Sequence, residues 1–505
     1  MPSTFMGLET ARRALSAQQT ALSTVSNNVA NANTEGYTRQ RVTLQSTSPY
    51  PAVSKNSDLT AGQIGTGVKA GSVERVRDSF LDYQYRTENT KLGYYTARSN
   101  SLSQMEGVMK ELDDNGLNGS LSSFWNALQD LATNPENTGA RSVLQEQGKS
   151  LAESFNYIST SLTNIQGDIK KNLDNTADQV NSILNQLNDL NNQIAAVEPS
   201  GMLPNDLYDQ RDRLIDQLSS MANIKVSYNK SGGHALATAE GTVNVELLNG
   251  NNNSLGTLLD GNTKTVSEMK INYDKDSGLV SSVSVGSSTV NADAFTGKGS
   301  LLGLIESYGY MSNGEEKGLY PEMLTALDNM ALSFADAFNA VHEKGKTYTG
   351  EQGAAFFDFS GDEAVPAKGA AAKIKVSDKI LASTDNIAAS LNGEKSDGTN
   401  ATNLAAVQNS KLTINGETTT INDFYESLIG KLGVNSQKAA NLMNNSESNT
   451  LSADERRQSV SAVSLDEEMT NMIQFQHAYN AAARIITMQD EIFDKIINGM
   501  GTGGR

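Results

Sequence analysis

The chain has 505 residues, of which 6% are aromatic and none is cysteine, and its formal net charge is −18. The absence of cysteine excludes disulfides, thiol nucleophiles and zinc–thiolate sites. The acidic charge would repel a phosphate backbone, which argues against nucleic acid as the main partner.

The chain start, MPSTFMGLETARRALSAQQTA, has no basic region followed by an apolar block, so we expect no cleaved signal peptide. No run of about 18 apolar residues occurs, so we expect no membrane insertion. Two locations stay open on this basis: the cytoplasm, or export by a route that uses no cleaved signal.

The first predicted element is a helix with an apolar ladder that steps by three and four residues. The ladder comprises Leu8, Ala11, Leu15, Leu22, Val25 and Val29, and it is broken by Gln18. Ser, Thr, Gln and Asn occupy the other faces, so the helix would be marginal alone in water and needs a partner. Gly36 offers a left-handed stop after the helix.

A largely helical region follows an irregular stretch from Val42 to Val76 and runs from about Ser79 to Ala222. Its clearest apolar periodicity extends from Ile158 to Val197 and predicts a helix on the order of 60 Å long. The prolines and glycine of the next seven residues end that helix. Trp125 is expected to anchor the core.

The next predicted helix, NDLYDQRDRLIDQLSSM, is dense in carboxylates. We expect its buried stripe to contain Leu207, Leu214, Leu218 and Met221. Paired carboxylates suit glycoside hydrolysis, so Asp206, Asp209, Asp212 and Asp216 are candidates for catalysis. Their helical spacing favours instead a solvated face carrying i,i+4 charges.

From about Asn223 the apolar period changes to two, which predicts a β module ending near Phe295. Helices are predicted again over Ser300–Ser312, Tyr320–His342 and from Ile421 to about Asp454. His342 at a helix end suits a structural cation facing the helix dipole.

A second apolar ladder with steps of three and four lies at the far end of the chain. It includes Leu465, Met469, Met472, Tyr479, Ile486, Phe493 and Ile497. Residues 1–48 hold four arginines and two glutamates, while residues 465–500 hold six acids, one Arg and one Lys. Because both ladders and these opposite charges favour association, we expect the two end helices to pair with each other and with neighbouring copies.

These patterns predict a mainly α fold with an inserted β module (α+β), in an elongated chain of nested domains. The terminal coiled-coil domain takes residues 1–48 and 460–505. The helical middle domain takes residues 49–224 and 296–459. An outer β domain takes residues 225–295, and we expect its deletion to be mild because its contacts are predicted to be peripheral.

Known catalytic and metal-binding patterns are not found in the sequence. The three histidines are far apart, and no Walker, G-x-S-x-G or H-E-x-x-H stretch occurs. We therefore expect no cofactor, no metal and no enzymatic activity.

Both ends of the chain resemble those of the flagellar rod, hook and hook-associated proteins. The N-terminal stretch ALSAQQTALSTVSNNVANANTEGYTRQRV (Ala14 to Val42) is similar to that family's N-terminal signature, and Leu465 to Met500 is similar to its C-terminal partner segment. The stretches NDLYDQRDRLIDQLS and DAFNAVHEKG, with the helical middle, resemble the hook-associated members.

The resemblance implies a structural role at the junction of the flagellar hook and filament, where terminal helices line a central channel. It implies self-association in a helical array, contacts with hook protein and a second junction protein, and an extracellular location. It also implies type III export without a cleaved signal, with a chaperone at the C-terminal segment.

The resemblance places SNNVANANTEGYTRQ where the inner helix gives way to the link with the next domain. The link residues are Asn28, Asn31, Asn33, Gly36, Tyr37 and Arg39. Tyr37 and Arg39 are expected to meet adjacent subunits. Other flagellar axial proteins, a secreted coiled-coil adhesin or effector, and a peptidoglycan hydrolase are the alternative classes.

Overall fold

The computed structural model describes residues 5–50, 64–110, 116–360 and 368–499, so part of the irregular stretch and the extreme ends of both terminal segments lie outside the described residues. The chain starts with helix α1, whose residues are Phe5–Ala30. A two-stranded antiparallel sheet follows, formed by β1 (Gln40–Ser46) and β2 (Val68–Arg75).

Four helices build the first part of the central body. They are α2 (Ser79–Lys110), α3 (Leu117–Thr133), α4 (Thr138–Val197) and α5 (Asn205–Met221). Helix α4 has 60 residues, or about 90 Å. It begins 20 residues before the predicted ladder because Leu144, Leu151 and Phe155 continue the buried stripe toward its N-terminus.

Two sheets follow α5. The first has the order β3-β4-β5-β6, with β3 (Ile224–Asn229), β4 (Thr242–Leu248), β5 (Ser254–Asp260) and β6 (Thr265–Val266). The second contains β7 (Met269–Tyr273), β8 (Val280–Val285), β9 (Ser288–Asn291) and, after α6 (Ser300–Tyr308), β10 (Tyr310–Ser312) and β11 (Glu315–Lys317). The predicted helix over Ser300–Ser312 is therefore wrong in its last residues, because Tyr310 pairs in parallel with Val280 of β8.

The rest of the body alternates helices with short strand pairs. Its elements are α7 (Leu319–His342), β12 (Phe357–Phe359), α8 (Ala370–Lys373), β13 (Ile374–Val376), α9 (Asp378–Ala382), α10 (Thr399–Ala406), β14 (Leu412–Ile414) and β15 (Glu417–Thr419). Two long helices end the described chain, α11 (Ile421–Ser461) and α12 (Leu465–Gly499). The mainly α fold with inserted β structure is confirmed.

An aromatic cluster forms the centre of the body where α3, α4 and α7 meet. The ring of Phe124 lies 5.2 Å from that of Phe338 and 5.7 Å from that of Phe357, and Phe334 lies 5.0 Å from Phe357. Trp125 is buried beside them, as expected. Aromatic packing of this kind contributes beyond simple area burial.

His342 ends α7 against this cluster, but it is not a cation. Burial lowers the pKa of His342 to about 4. Its Nε2 accepts a hydrogen bond from the Ala388 amide at 2.9 Å, while Nδ1 lies 2.5 Å from the Ala354 carbonyl oxygen. The structural role is as predicted, but the predicted positive charge is wrong, because burial disfavours it and no carboxylate among the described residues offsets that burial.

The β strands are attached to α4 through asparagine side chains. The amide of Asn191 donates to the Val243 carbonyl and accepts from the Val243 amide, and Asn181 does the same with Met269. Each amide thus pairs with the backbone of one strand residue. The β module therefore packs directly on α4, which differs from the peripheral contacts expected from the sequence, and a mild effect of its deletion stays a prediction.

Candidate assembly site at the terminal helices

Helices α1 and α12 pack against each other in antiparallel directions. At one end the rings of Phe5 and Phe493 stack with centroids 4.9 Å apart. At the other end the side chain of Asn28 donates to Glu468 at 3.0 Å. The two ends of the chain therefore meet within one molecule, as the two ladders predicted.

Three alanines form half of the buried stripe of α1, and none of the predicted leucines is buried. The buried residues of α1 are Ala11, Ala17, Ala21, Thr24, Val25 and Asn28. Of the predicted seam, Val25 is buried, and Leu8, Leu15, Leu22 and Val29 are half-buried. Small side chains let α1 lie close to both α12 and the β1–β2 sheet, which leaves the longer leucines at the margin.

The predicted seam of α12 divides into two groups. Met472, Tyr479, Ile486 and Phe493 are half-buried, while Leu465, Met469 and Ile497 are exposed. Further apolar residues on this helix are also exposed, namely Ile473, Ile485, Met488, Ile492 and Ile496. Contiguous exposed apolar surface of this kind marks an interaction site.

Asn28 is the centre of a polar contact at the base of the pair, and it is 1% exposed. Its Nδ2 donates to the Gln40 carbonyl at 2.8 Å and to Glu468, and its Oδ1 accepts from the Tyr37 hydroxyl and the Gln40 amide. These four bonds use the whole capacity of the amide. Asn28 therefore joins α1, the link, β1 and α12 in one place.

Arg39 completes this contact from the link. Its Nε lies 2.8 Å from Glu468 and its Nη1 lies 2.6 Å from Glu467. Tyr37 and Arg39 thus bind within their own chain, and the expectation that they also meet adjacent subunits stays a prediction. Burial and nearby carboxylates, first that of Asp209, raise the pKa of Tyr37, so its hydroxyl remains a donor.

The remaining link residues form the turn between α1 and β1. Asn31 donates to the carbonyl of Asn27 at 3.0 Å, and Asn33 is exposed. Gly36 has φ of 78°, a left-handed conformation that strains residues with a side chain, as the sequence predicted.

A cluster of buried charges lies directly beneath this link. Asp212, 2% exposed, is its hub. Its carboxylate oxygens lie within 4 Å of four guanidiniums, at 2.9 Å from Arg75, 3.1 Å from Arg77, 3.2 Å from Arg211 and 3.7 Å from Arg86. The cluster therefore ties β2, α2 and α5 together.

The predicted solvated face of α5 is thus wrong, because that face is buried against arginines from other elements. Asp209 binds Arg75 at 2.8 Å, and Asp216 binds Arg86 at 2.7 Å. Asp206 alone of the four carboxylates is exposed. The predicted stripe changes accordingly, since Tyr208, Ile215 and Leu218 are buried and Leu207, Leu214 and Met221 are half-buried.

The environment of each carboxylate sets its pKa differently. Burial alone would raise the pKa of Asp212, but the guanidiniums, first among them that of Arg77, outweigh burial and hold it well below its usual value. For Asp209, burial raises the pKa and Arg75 offsets only part of that effect. Asp212 therefore stays ionised, and its paired charges make this a structural cluster rather than a catalytic pair.

The sequence prediction missed the residues that complete these contacts: Arg75, Arg77, Arg86, Arg211 and Glu468. A signal was available, since three of these arginines fall within twelve residues before and inside α2 while three acids share one face of α5. Charge complementarity between two distant segments would have suggested their pairing.

Within the ranges that the structure describes, no group of three or more His, Asp or Glu residues is placed to hold a metal ion. Over the same ranges, no helix combines the length and apolarity needed to span a membrane.

Three family models match this chain. The model described as flagellar hook-associated protein FlgK helical domain matches residues 102–357. A flagella basal body rod protein model matches residues 8–38, and a flagellar basal body rod FlgEFG protein C-terminal model matches residues 456–499. The last two cover the terminal segments on which the family resemblance was based.

Whole-length relatives agree with these matches. The chain is 63% identical over 507 residues to flagellar hook-associated protein 1 of Bacillus subtilis (strain 168), covering 100% of both chains. It is 26% identical over 572 residues to flagellar hook-associated protein 1 of Salmonella typhimurium, covering 96% of this chain and 98% of the relative.

A solved structure shares the fold. The flagellar hook junction protein FlgK from Burkholderia pseudomallei superposes with a TM-score of 0.57 at 16% identity, covering 74% of this chain and 100% of that one.

Proposed function

This chain belongs to the flagellar hook-associated protein 1 family, and we propose that it joins the hook to the filament through its paired terminal helices. It is a structural component of the bacterial flagellum at the hook–filament junction. The proposal concerns how the structure performs that role.

The observation that carries the proposal is the apolar surface that α12 leaves exposed beside its contact with α1. Ile473, Met488 and Ile497 are 56%, 57% and 74% exposed. Burying such side chains would gain about 1.5–3 kcal/mol each. Copies arranged side by side would cover this surface. Self-association in a helical array would therefore bury the apolar side chains that a single chain leaves exposed on α12.

The base of the pair would give each copy a defined orientation in that array. Asn28 and Arg39 hold the start of α12 against the end of α1. The charge cluster at Asp212 joins that base to the body. In this proposal the terminal domain (1–48 and 460–505) is innermost, the middle domain surrounds it, and the β domain (225–295) is outermost.

The partners at the two ends of the array are proposed to be hook protein and a second junction protein. The chain is proposed to reach the outside of the cell by type III export without a cleaved signal, with a chaperone at the C-terminal segment. A chain free of cysteine suits that route, because no disulfide has to be opened before passage. The role is proposed to be structural, and we assign no reaction to it.

Among the alternatives, another axial protein and a secreted adhesin are both disfavoured by the similarity to hook-associated protein 1 over the whole chain. The third alternative, a peptidoglycan hydrolase, is tested by a zymogram on cell-wall material. We expect the purified protein to produce no zone of clearing.

Electron microscopy of cells that lack this chain tests the proposed function. We expect hooks without filaments, with filament protein shed into the medium, and recovery of filaments when the chain is supplied again. Normal filaments on cells that lack the chain would contradict the proposal.

A further inference from the structure

An apolar groove of about 470 Å³ lies on the terminal pair, which consists of the packed helices α1 and α12. The groove is formed by these two helices and by Ile64 and Gly65, which precede β2. Ala11 and Ala482 form its buried part, and Ile64 and Ile485 flank it with 45% and 46% of their surface exposed. Except for Thr10, the side chains that line it are apolar. Because small residues line the inside of this groove and isoleucines flank it, the groove has room for larger apolar side chains of another polypeptide segment.

The same chain carries a matching ridge farther along α12. Met488, Ile492 and Ile496 follow one another at four-residue steps, so they lie on one face of the helix, and each is more than 40% exposed. Ile496 lies 14 residues beyond Ala482, or about 21 Å at the rise of an α-helix. Met488, at the near end of the ridge, lies three residues beyond Ile485, which flanks the groove. Because the ridge and that wall of the groove belong to one helix, the ridge of one chain cannot enter that chain's own groove.

Charge also matches the groove to the ridge. Beside the groove, three arginines and one glutamate give a net charge of +2; they are Arg12, Arg13, Arg484 and Glu9. Beside the ridge, three acids and one lysine give −2; they are Asp490, Glu491, Asp494 and Lys495, and all four are exposed. Opposite charges at the margin favour and orient such a contact.

We propose that the Met488–Ile492–Ile496 ridge of one copy docks into the groove of a second copy. This inference rests on the proposed function, since it names one contact within the array. The two surfaces differ, although they adjoin along α12, so the contact is head-to-tail and leaves a free groove at one end of a row of copies and a free ridge at the other. Such contacts build rings or helical arrays rather than closed pairs.

Cysteine trapping tests this contact without background, because the chain has no cysteine of its own. Ala14 lines the groove, so the test protein carries Ala14→Cys and Ile496→Cys. Ala14 lies in the groove with Ala482, and Ile496 is about 21 Å farther along α12. A disulfide requires Cα atoms within about 7 Å, so these two positions cannot be joined within one chain. In the matched control, Val434→Cys replaces Ile496→Cys; Val434 is 69% exposed on α11, in the body.

Hooks bearing the junction are isolated from cells that express each double variant, oxidised and run on a denaturing gel without reductant. We expect covalent oligomers from the 14–496 variant and at least about tenfold less from the 14–434 variant, a ratio equivalent to about 1.4 kcal/mol. Equal yields from the two variants, on hooks that carry the protein and grow filaments, would overturn the docking but leave the proposed function intact. Filamented hooks that lack the protein would overturn both.

Filling the groove gives a second test that needs no cysteine. We expect Ala14→Leu to lower the number of filaments per cell about tenfold, while the same change at exposed Ala30, Ala30→Leu, leaves it unchanged. Equal filament numbers for the two variants would overturn the groove as the docking surface.

Discussion

The terminal pair and the central body are both helical, yet they are stabilised in different ways. In the body, Phe124, Phe334 and Phe338 are fully buried against one another. In the terminal pair, the buried side chains of α1 include Ala11, Ala17 and Ala21. The free energy gained on folding scales with the apolar area removed from water. The body therefore gains enough stabilisation from its own core, whereas α1 and α12 need further contacts with neighbouring chains.

The outer surfaces differ in the same sense. The C-terminal half of α4 is covered by strands, with Val180, Leu184 and Leu187 fully buried. On α12, Ile473 and Met488 are more than half exposed. The apolar residues of α4 are thus buried within the chain, while α12 keeps apolar residues exposed that neighbouring chains could contact.

The largest expected effect is on assembly. Ile486→Asp places a carboxylate in the half-buried seam of α12, and an unpaired buried charge costs several kcal/mol or more. We expect complete loss of filaments by electron microscopy, with unchanged urea unfolding of the body; Leu15→Asp should behave alike. Val434→Asp is the control on exposed α11 surface, and normal filaments with Ile486→Asp would exclude this seam as an assembly element.

The next effect concerns the body alone. Phe334→Ala removes a ring from the centre of the aromatic cluster and should lower the free energy of unfolding by about 3–5 kcal/mol in urea titrations. Phe80→Ala, at a ring 61% exposed, should change it by less than about 0.5 kcal/mol. Similar values for the two variants would show that the body does not depend on this cluster.

A smaller, local effect is expected at the base of the pair. Asn28→Ala removes one hydrogen bond to Glu468, which keeps its ion pair with Arg39, and leaves the buried N–H and C=O of Gln40 without their Asn28 partner, at a cost of about 1–3 kcal/mol. Amide exchange at Gln40, whose N–H donates to Asn28, should therefore quicken by about 5- to 150-fold. Asn33→Ala, at an exposed position of the same link, is the control. If the Gln40 amide exchanged equally fast in both variants, Asn28 would not be the residue that holds α1, the link and α12 together.

The smallest effect is a pH dependence confined to the body. His342 has its pKa lowered by burial from 6.5 to about 4, so the unfolded chain binds its proton at a higher pH than the folded chain does. The contribution of neutral His342 to the free energy of unfolding is thus fully present above about pH 6.5. As the pH falls toward 4, the free energy of unfolding decreases by on the order of 1–3 kcal/mol. His342→Gln should flatten urea-derived stability in this window, and an unchanged slope would count against the assignment.

Local patterns in the sequence carried much of the fold. The two terminal ladders, Trp125 in the core and the left-handed Gly36 all follow from spacing or residue type, which depend on near neighbours in the chain. The carboxylates of α5 show where such reasoning fails. Asp209, Asp212 and Asp216 have the spacing of a solvated face. That face is buried because arginines from other elements bind it, among them Arg75 of β2 and Arg86 of α2, more than 120 residues earlier in the chain.

The candidate site divides in the same way. The sequence located the terminal helices and their link, but it assigned Leu15 and Leu22 to the inside. The structure places alanines inside α1 because that helix packs against two partners at once. It also shows contacts of Tyr37 with Asn28 and of Arg39 with Glu468 that the sequence did not suggest, while contact of Tyr37 and Arg39 with neighbouring subunits stays a prediction.

Periodicity and side-chain type act over a few residues, so they were enough to identify most of the helices and strands and to show that both ends require a partner. The face that each helix turns inward and the charges that meet follow from tertiary packing. Those outcomes depend on segments that are distant in sequence and adjacent in space, whose shapes and charges select one packing among several that the same ladders allow.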